Sequence, residues 1–280
     1  YCYTVWMRHL VLTNARVPIG IPRVVAELGP GDSLGVGLCA LLSGAERFLA
    51  FDLVRYANAA TNQEVFEALR ELFAKRTPIP DASEFPDVRP GLHDYSFPRD
   101  LLSEHALKRS LDAERVADIE AQLAGRRAHV DHLSYVVPWH EDSVKQRASV
   151  DFVYSQAVLE HVDDLATTYA ALSQWLRPGG VMSHAIDFRS HKLTPGWDGH
   201  LGYGPRTWEW VRGRRPYLLN RQPLAEHQRL LVQNGFEILS CTREKRTPTL
   251  SSRELAPQFR SWSEEDRASA GAHVVSIRRT

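Results

Sequence analysis

Cysteine is scarce in this chain. Cys2, Cys39 and Cys241 are its only three, they lie far apart, and no two form a C-x-x-C pair. That spacing excludes a cysteine-built zinc site and a disulfide framework, and it fits a reducing compartment. Long apolar runs are missing as well: none approaches the roughly 18 residues of a membrane span, and the first residues show no basic stretch leading into an apolar core and a cleavage site. A cytoplasmic protein without a membrane partner is the expectation. Charge of one sign is lacking too, because 34 basic and 34 acidic side chains cancel. No global field gathers nucleic acid, and none is expected as a partner. His129, His132 and His140 lack metal-ligand spacing, so no metal is expected. The absence of internal repeats excludes a solenoid.

What the chain does have is a strand followed by a helix, several times over. Its 280 residues, 43% hydrophobic and 24% charged, suit one α/β domain with insertions. Val24 to Leu28 is an apolar run suited to a strand buried on both faces. A helix over Leu34 to Leu42 follows, with Ser43-Gly44 as its stop. "RFLAFDL" gives a second strand ending at Asp52, and a helix covers Glu64 to Lys75. Pro-rich text from Arg76 to Arg109 reads as an insertion, followed by a charged helix from about Leu111 to Leu123. "HLSYVVP" and Val150 to Tyr154 are further strands, and Asp163 or Asp164 caps the next helix. Pro178-Gly179-Gly180 then turns the chain into a strand from Val181 to Phe188. An irregular stretch, Arg189 to Arg221, precedes a helix from Leu224 and the strands "FEILSC" and "AHVVSIRR". This alternation predicts a mostly parallel sheet covered on both sides, with the strand C-terminal ends, and hence any ligand, at one edge.

Glu27, Gly29, Gly31, Asp32 and Asp52 fall at that edge. Glycines let the backbone approach a ligand closely, and an acid 25 residues after Glu27 is placed to accept hydrogen bonds from ribose hydroxyls. The turn Gly29-Pro30-Gly31-Asp32-Ser33-Leu34-Gly35 is one residue longer than a dinucleotide fingerprint and carries an acid where a pyrophosphate would sit. Its carboxylates suit a cationic ammonium and sulfonium, which S-adenosyl-L-methionine offers. With that, "AELGPGDSLG", "FDL", "VDFVYSQAVLEHV" and "LRPGGVM", in this order, resemble the motifs of class I S-adenosylmethionine-dependent methyltransferases from Val24 onward. The resemblance implies a Rossmann-like three-layer sandwich: a mostly parallel seven-stranded sheet with an antiparallel last strand, plus cap insertions. It implies a single methyltransferase domain over 1–280, with an N-terminal helical segment (1–23), an insertion (77–130) and an acceptor-side cap (189–222).

Carried over residue by residue, the resemblance puts Glu27, Gly29, Pro30, Gly31, Asp32 and Ser33 at the methionine end of the cofactor and Asp52 with Leu53 at the ribose. Ser155, Gln156, Ala157 and Glu160 follow the fourth strand, with Glu160 and His161 facing the reaction chamber. The adenine contact departs from the family's pattern at "VVPWHED", where Trp139 or Asp142 is the candidate. Methyl transfer to an alcohol is helped by a base, for which His161, Asp187 and His191 are the candidates. Trp197, Tyr203, Trp208, Trp210 and Tyr217 could stack on a sugar or aromatic acceptor, and Arg212, Arg214 and Arg215 could hold a phosphate or carboxylate; a lid packed on the sheet explains them equally well. A looser similarity to methyltransferases of bacterial surface-glycan pathways points to a small-molecule or glycan-precursor acceptor. The rivals are a nicotinamide-dependent oxidoreductase or epimerase, against which the long acidic turn speaks, and a catalytically silent binding module.

Overall fold

The apolar runs pair as a parallel sheet requires. The computed structural model describes residues 1–144, 147–215 and 217–279. Among these, seven strands form one sheet: β1 (Val24–Leu28), β2 (Arg47–Phe51), β3 (Leu133–Val136), β4 (Val150–Gln156), β5 (Leu176–Asp187), β6 (Phe236–Lys245) and β7 (Ser269–Arg278). Their order is β3-β2-β1-β4-β5-β7-β6. Pairings from β3 to β5 are parallel, and β7 runs antiparallel to β5 and β6. The strand order reverses between β1 and β4, so the loops leaving their C-terminal ends diverge and open a crevice.

Helices cover both faces, giving the three-layer Rossmann-like architecture. On one side lie α1 (Cys2–Asn14), α2 (Gly35–Ser43), α3 (Ala59–Ala74), α4 (Glu104–Ser110) and α5 (Ala113–Leu123), whose side chains meet Phe48, Phe152 and Tyr154 of the sheet. On the other, α6 (Leu165–Trp175) and α8 (Leu224–Gln233) bury Tyr169, Trp175 and Leu231 against Val153 and Met182. Side chains fix the helix starts: Asn58, Ser103, Asp112 and Asp164 each accept a backbone N–H from the first turn of α3, α4, α5 and α6. Gly44, at φ 115°, ends α2. α1 is part of the core, with Trp6 fully buried and its indole N–H donating to Ser43 Oγ at 2.7 Å. No helix among the described residues is long and apolar enough to cross a membrane.

Three features differ from the sequence reading. The turn expected at Pro178-Gly179-Gly180 is a bulge inside β5, because Leu176 already pairs with Val150 and Val181 pairs with Phe152. The Pro-rich stretch expected to be irregular up to Arg109 ends in a helix, α4, and the helix expected from about Leu111 is α5, capped by Asp112. The irregular stretch after β5 contains α7 (Pro205–Arg212), and it packs on residues between β6 and β7: Leu201, Leu255, Ala256 and Phe259 form a small core of their own.

The 77–103 segment is tied to α1 by a buried arginine. Arg8 donates to the carbonyls of Val88, Pro90 and Pro80, and Tyr3 and Thr4 hydroxyls donate to those of Thr77 and Pro80. These bonds satisfy backbone acceptors that burial would otherwise leave bare.

Candidate active site

The crevice between the loops after β1, β2 and β4 is a cavity of about 620 Å³. Gly29 and Gly31 form one lip, both left-handed at φ 65° and 72°. A Cβ on Gly29 would come within 2.6 Å of Val158, whereas one on Gly31 would meet nothing within 4 Å and project into open space. Asp52 directly follows β2 beside this lip: its carboxylate accepts from the Leu53 N–H at 2.7 Å and from the Gly31 N–H at 3.4 Å. Leu28, Phe51, Leu53, Val162 and Trp139 supply apolar walls. Trp139 is held edge-on by Trp175, with ring centroids 5.4 Å apart, and its backbone N–H donates to the Asp52 carbonyl. An acid beside apolar and aromatic walls suits a nucleoside, with ribose at the acid and base between the walls.

Apart from Ala157, the other cofactor candidates lie around this cavity rather than in its wall. Glu27 is 2% exposed within β1, and its Oε2 finds no hydrogen-bond partner. Burial pushes its carboxyl up to about 8; the Tyr154 hydroxyl and Gly37 N–H ease its charge, and Asp52 opposes it. Of the turn residues, Asp32 is exposed and Ser33 Oγ lies 3.6 Å from Cys2 Sγ; neither these nor Pro30 lines the cavity. Ser155 is buried with its hydroxyl on His184 Nδ1 at 2.8 Å, and Gln156 Oε1 faces His9 Nε2 at 3.2 Å. Asp142 is exposed beside Arg147. Ala157, at φ 54°, lines the crevice and also a second cavity of about 390 Å³ between β5, β7 and residues 87–91.

Beside these cavities His161 lines the crevice, Asp187 lines the second cavity, Glu160 lies with Asp187 on a smaller third one, and His191 stands against Asp187 and His161. Arg189 grips the Asp187 carboxylate through Nε and Nη2 at 2.6–3.0 Å. His191 Nε2 lies 3.4 Å from the same carboxylate, and the His191 and His161 rings meet edge to face, 5.0 Å apart. Burial disfavours charge on Asp187, but the bonds from His191 and Arg189 outweigh it and hold Asp187 well below the usual carboxylate range. Burial, then the neighbouring His191, lowers His161, which is therefore an uncharged imidazole at neutral pH. Glu160 is 2% exposed with neither oxygen partnered, and burial raises it well above the usual range although backbone N–H groups of Glu160 and Asp187 lie near.

Residues 102–183 match the sequence family of the methyltransferase domain. That span runs from the turn before α4 into β5, taking in the β4 motif and His161 but not the glycine turn or Asp52. No curated protein matches the chain. Among solved structures it is similar to an S-adenosylmethionine dependent methyltransferase from Mesorhizobium loti (18% identity over 96% of each chain, TM-score 0.48). It is also similar to phosphoethanolamine N-methyltransferase 2 of Haemonchus contortus in complex with S-adenosyl-L-methionine (14% identity, 98% of this chain and 53% of that one, TM-score 0.46). Both likenesses are distant, and the reading of the site rests on its own geometry and the family match. Together these support a methyltransferase with S-adenosyl-L-methionine as its cofactor.

The aromatic and basic cap residues are scattered rather than gathered. Trp208 is buried beneath Arg221, whose guanidinium lies 4.3 Å from its ring centroid; Trp210 is 81% exposed; Trp197 donates to the Thr247 carbonyl. Arg212 is paired with Asp163 at 2.6 Å, and Arg215 turns back to backbone carbonyls. Only Tyr217 of this group lines the crevice. Sequence reasoning missed Asp87 to Gly91, which wall the second cavity from inside the Pro-rich segment; a charged pair around Val88 gave no periodic signal to find them.

Proposed function

We propose that this chain transfers the methyl group of S-adenosyl-L-methionine to an oxygen or nitrogen atom of a small polar acceptor, a carbohydrate precursor being one such class. The observation that carries this reading is that Ala157 lines both the crevice, which holds Asp52 and His161, and a second cavity, which holds Asp187. The residues present fit the cofactor: Gly31 leaves open space at the lip, and the unpartnered Glu27 Oε2 lies buried behind it, lacking a donor that an ammonium would supply.

When bound, the cofactor supplies a methyl carbon already activated by its sulfonium. The protein's part is to align and to exclude water. Asp52 takes the ribose hydroxyls, the walls around Trp139 and Phe51 cover the base, and Glu27 answers the ammonium. The acceptor enters the second cavity under residues 87–91, where the carboxylates and guanidiniums of Asp87, Arg89, Arg189, Arg243 and Glu244 offer mixed polar contacts. His161, held uncharged, is the group able to take a proton from the acceptor, and Asp187 fixes the orientation of His191 beside it.

Calorimetry with S-adenosylhomocysteine against NAD tests the crevice, and tighter binding of NAD overturns the reading. Transfer of labelled methyl over a panel of sugars, sugar phosphates and small amines tests the acceptor class.

A further inference from the structure

The group of Glu160, His161 and His191 at the sheet edge carries a feature that proton transfer does not require. Both oxygens of buried Glu160 and the buried Nδ1 of His161 lack hydrogen-bond partners. A buried carboxyl with neither oxygen hydrogen-bonded is costly, and a bound cation would supply the missing interactions. Arg189 is committed to Asp187. One ligand atom each from Glu160, His161 and His191 lies within 4.8 Å of the others. Donors at about 2.1 Å around a tetrahedral ion stand roughly 3.4 Å apart, so small side-chain rotations bring these three to a common centre. The surroundings match what a ligating histidine has outside the metal: a carboxylate, Asp187, at one ring nitrogen of His191. Sequence could not place them together, because Glu160 and His161 follow β4 while His191 stands on the loop after β5.

We propose that Glu160, His161 and His191 bind one divalent transition-metal ion of zinc's kind between the loops after β4 and β5, beside the Asp187 carboxylate. Two imidazoles and one carboxylate leave a coordination position open to water or to an oxygen of the acceptor. An ion there takes over the polarising of the acceptor, since His161 cannot both ligate and accept a proton. Binding of the ion stands independently of the methyl-transfer reading; its use by an acceptor rests on that reading.

The test uses the full chain, stripped with a chelator and titrated with Zn²⁺ and separately with Co²⁺. One ion per chain, with visible Co²⁺ absorption typical of nitrogen and oxygen ligands, is expected. Glu160→Gln and His191→Asn should each weaken uptake by about tenfold or more, and Asp187→Asn by about 10- to 100-fold through the ring it orients. His191 is on the surface, so His191→Asn stays folded even if Glu160→Gln does not. His129→Ala should leave uptake unchanged. No stoichiometric uptake by the wild type, or uptake that survives His191→Asn, overturns the site. S-adenosylhomocysteine binding measured on the same samples separates the two readings: its loss with intact ion uptake sinks the methyl-transfer reading alone.

Discussion

Glu27→Gln should make the ligand-free protein more stable and a worse binder. Glu27 is buried in β1 with one oxygen unpartnered, and its folded pKa is about 8 against an ordinary value of 4.5. A carboxyl whose folded pKa is raised leaves the fold at full strength below the unfolded value and weakens it as pH rises toward the folded one. The window is therefore pH 4.5 to 8, and at pH 7.5 the loss is about 4 kcal/mol at 1.36 kcal/mol per pH unit. Glutamine has no proton to lose. Its stability should be flat across that window, and the variant should exceed wild type at pH 7.5 by roughly 2–4 kcal/mol, the lower figure applying if its amide is left partly unsatisfied. Binding should move the other way. An ammonium draws the carboxyl into its charged form, so below pH 8 wild type should release up to one proton on taking up S-adenosylhomocysteine, and affinity should fall as pH falls. The glutamine variant loses a charged hydrogen bond, about 1.5–3 kcal/mol or ten- to hundredfold in affinity. Urea unfolding between pH 5 and 8, and calorimetry in two buffers of different ionisation enthalpy, measure both effects. Wild-type affinity in Glu27→Gln, with unchanged proton release, would refute the reasoning.

Asp52→Ala should weaken S-adenosylhomocysteine by roughly 1–3 kcal/mol through loss of a charged acceptor, read by calorimetry, and unchanged affinity would remove Asp52 from the site. Gly31→Ala should leave the fold intact at a cost of about 1–2 kcal/mol for a left-handed alanine, yet abolish binding, because its methyl enters open space that the ligand needs. Thermal unfolding and binding on the same sample distinguish this from misfolding. His227 is fully buried, bonded through Nδ1 to Tyr169 at 2.9 Å, and burial lowers it to about 4. A histidine depressed in this way supports the fold above its unfolded value of about 6.5 and loses that support as pH falls toward 4. His227→Gln should accordingly remove about 2 kcal/mol of the wild-type loss between pH 6.5 and 5, as measured by denaturant midpoints at the two pH values.

The parts of the site that were legible in the sequence are those set by one strand and its turn. β1 reads as a continuous apolar run because a central parallel strand is buried on both faces, and a glycine turn followed by a strand-ending acid brings Gly31 to 3.4 Å from Asp52 whatever the rest of the chain does. The acceptor side obeys no such local rule. Arg8 sits in an apolar helix and looks misplaced until the carbonyls of Val88, Pro80 and Pro90 arrive some eighty residues later. Likewise, an aromatic-rich segment does not say which ring will be covered: Trp208 and Trp210 are two residues apart on α7, so they point to different sides of the helix, one under Arg221 and the other to water. The bulge in β5 shows the same priority, since pairing of Leu176 with Val150 overrides the turn preference of Pro-Gly-Gly. Glu160, His161 and His191 make the case most sharply. Each alone is an ordinary polar residue near a strand end, and their chemistry exists only because β4 and β5 are hydrogen-bonded neighbours whose C-terminal loops must share one edge.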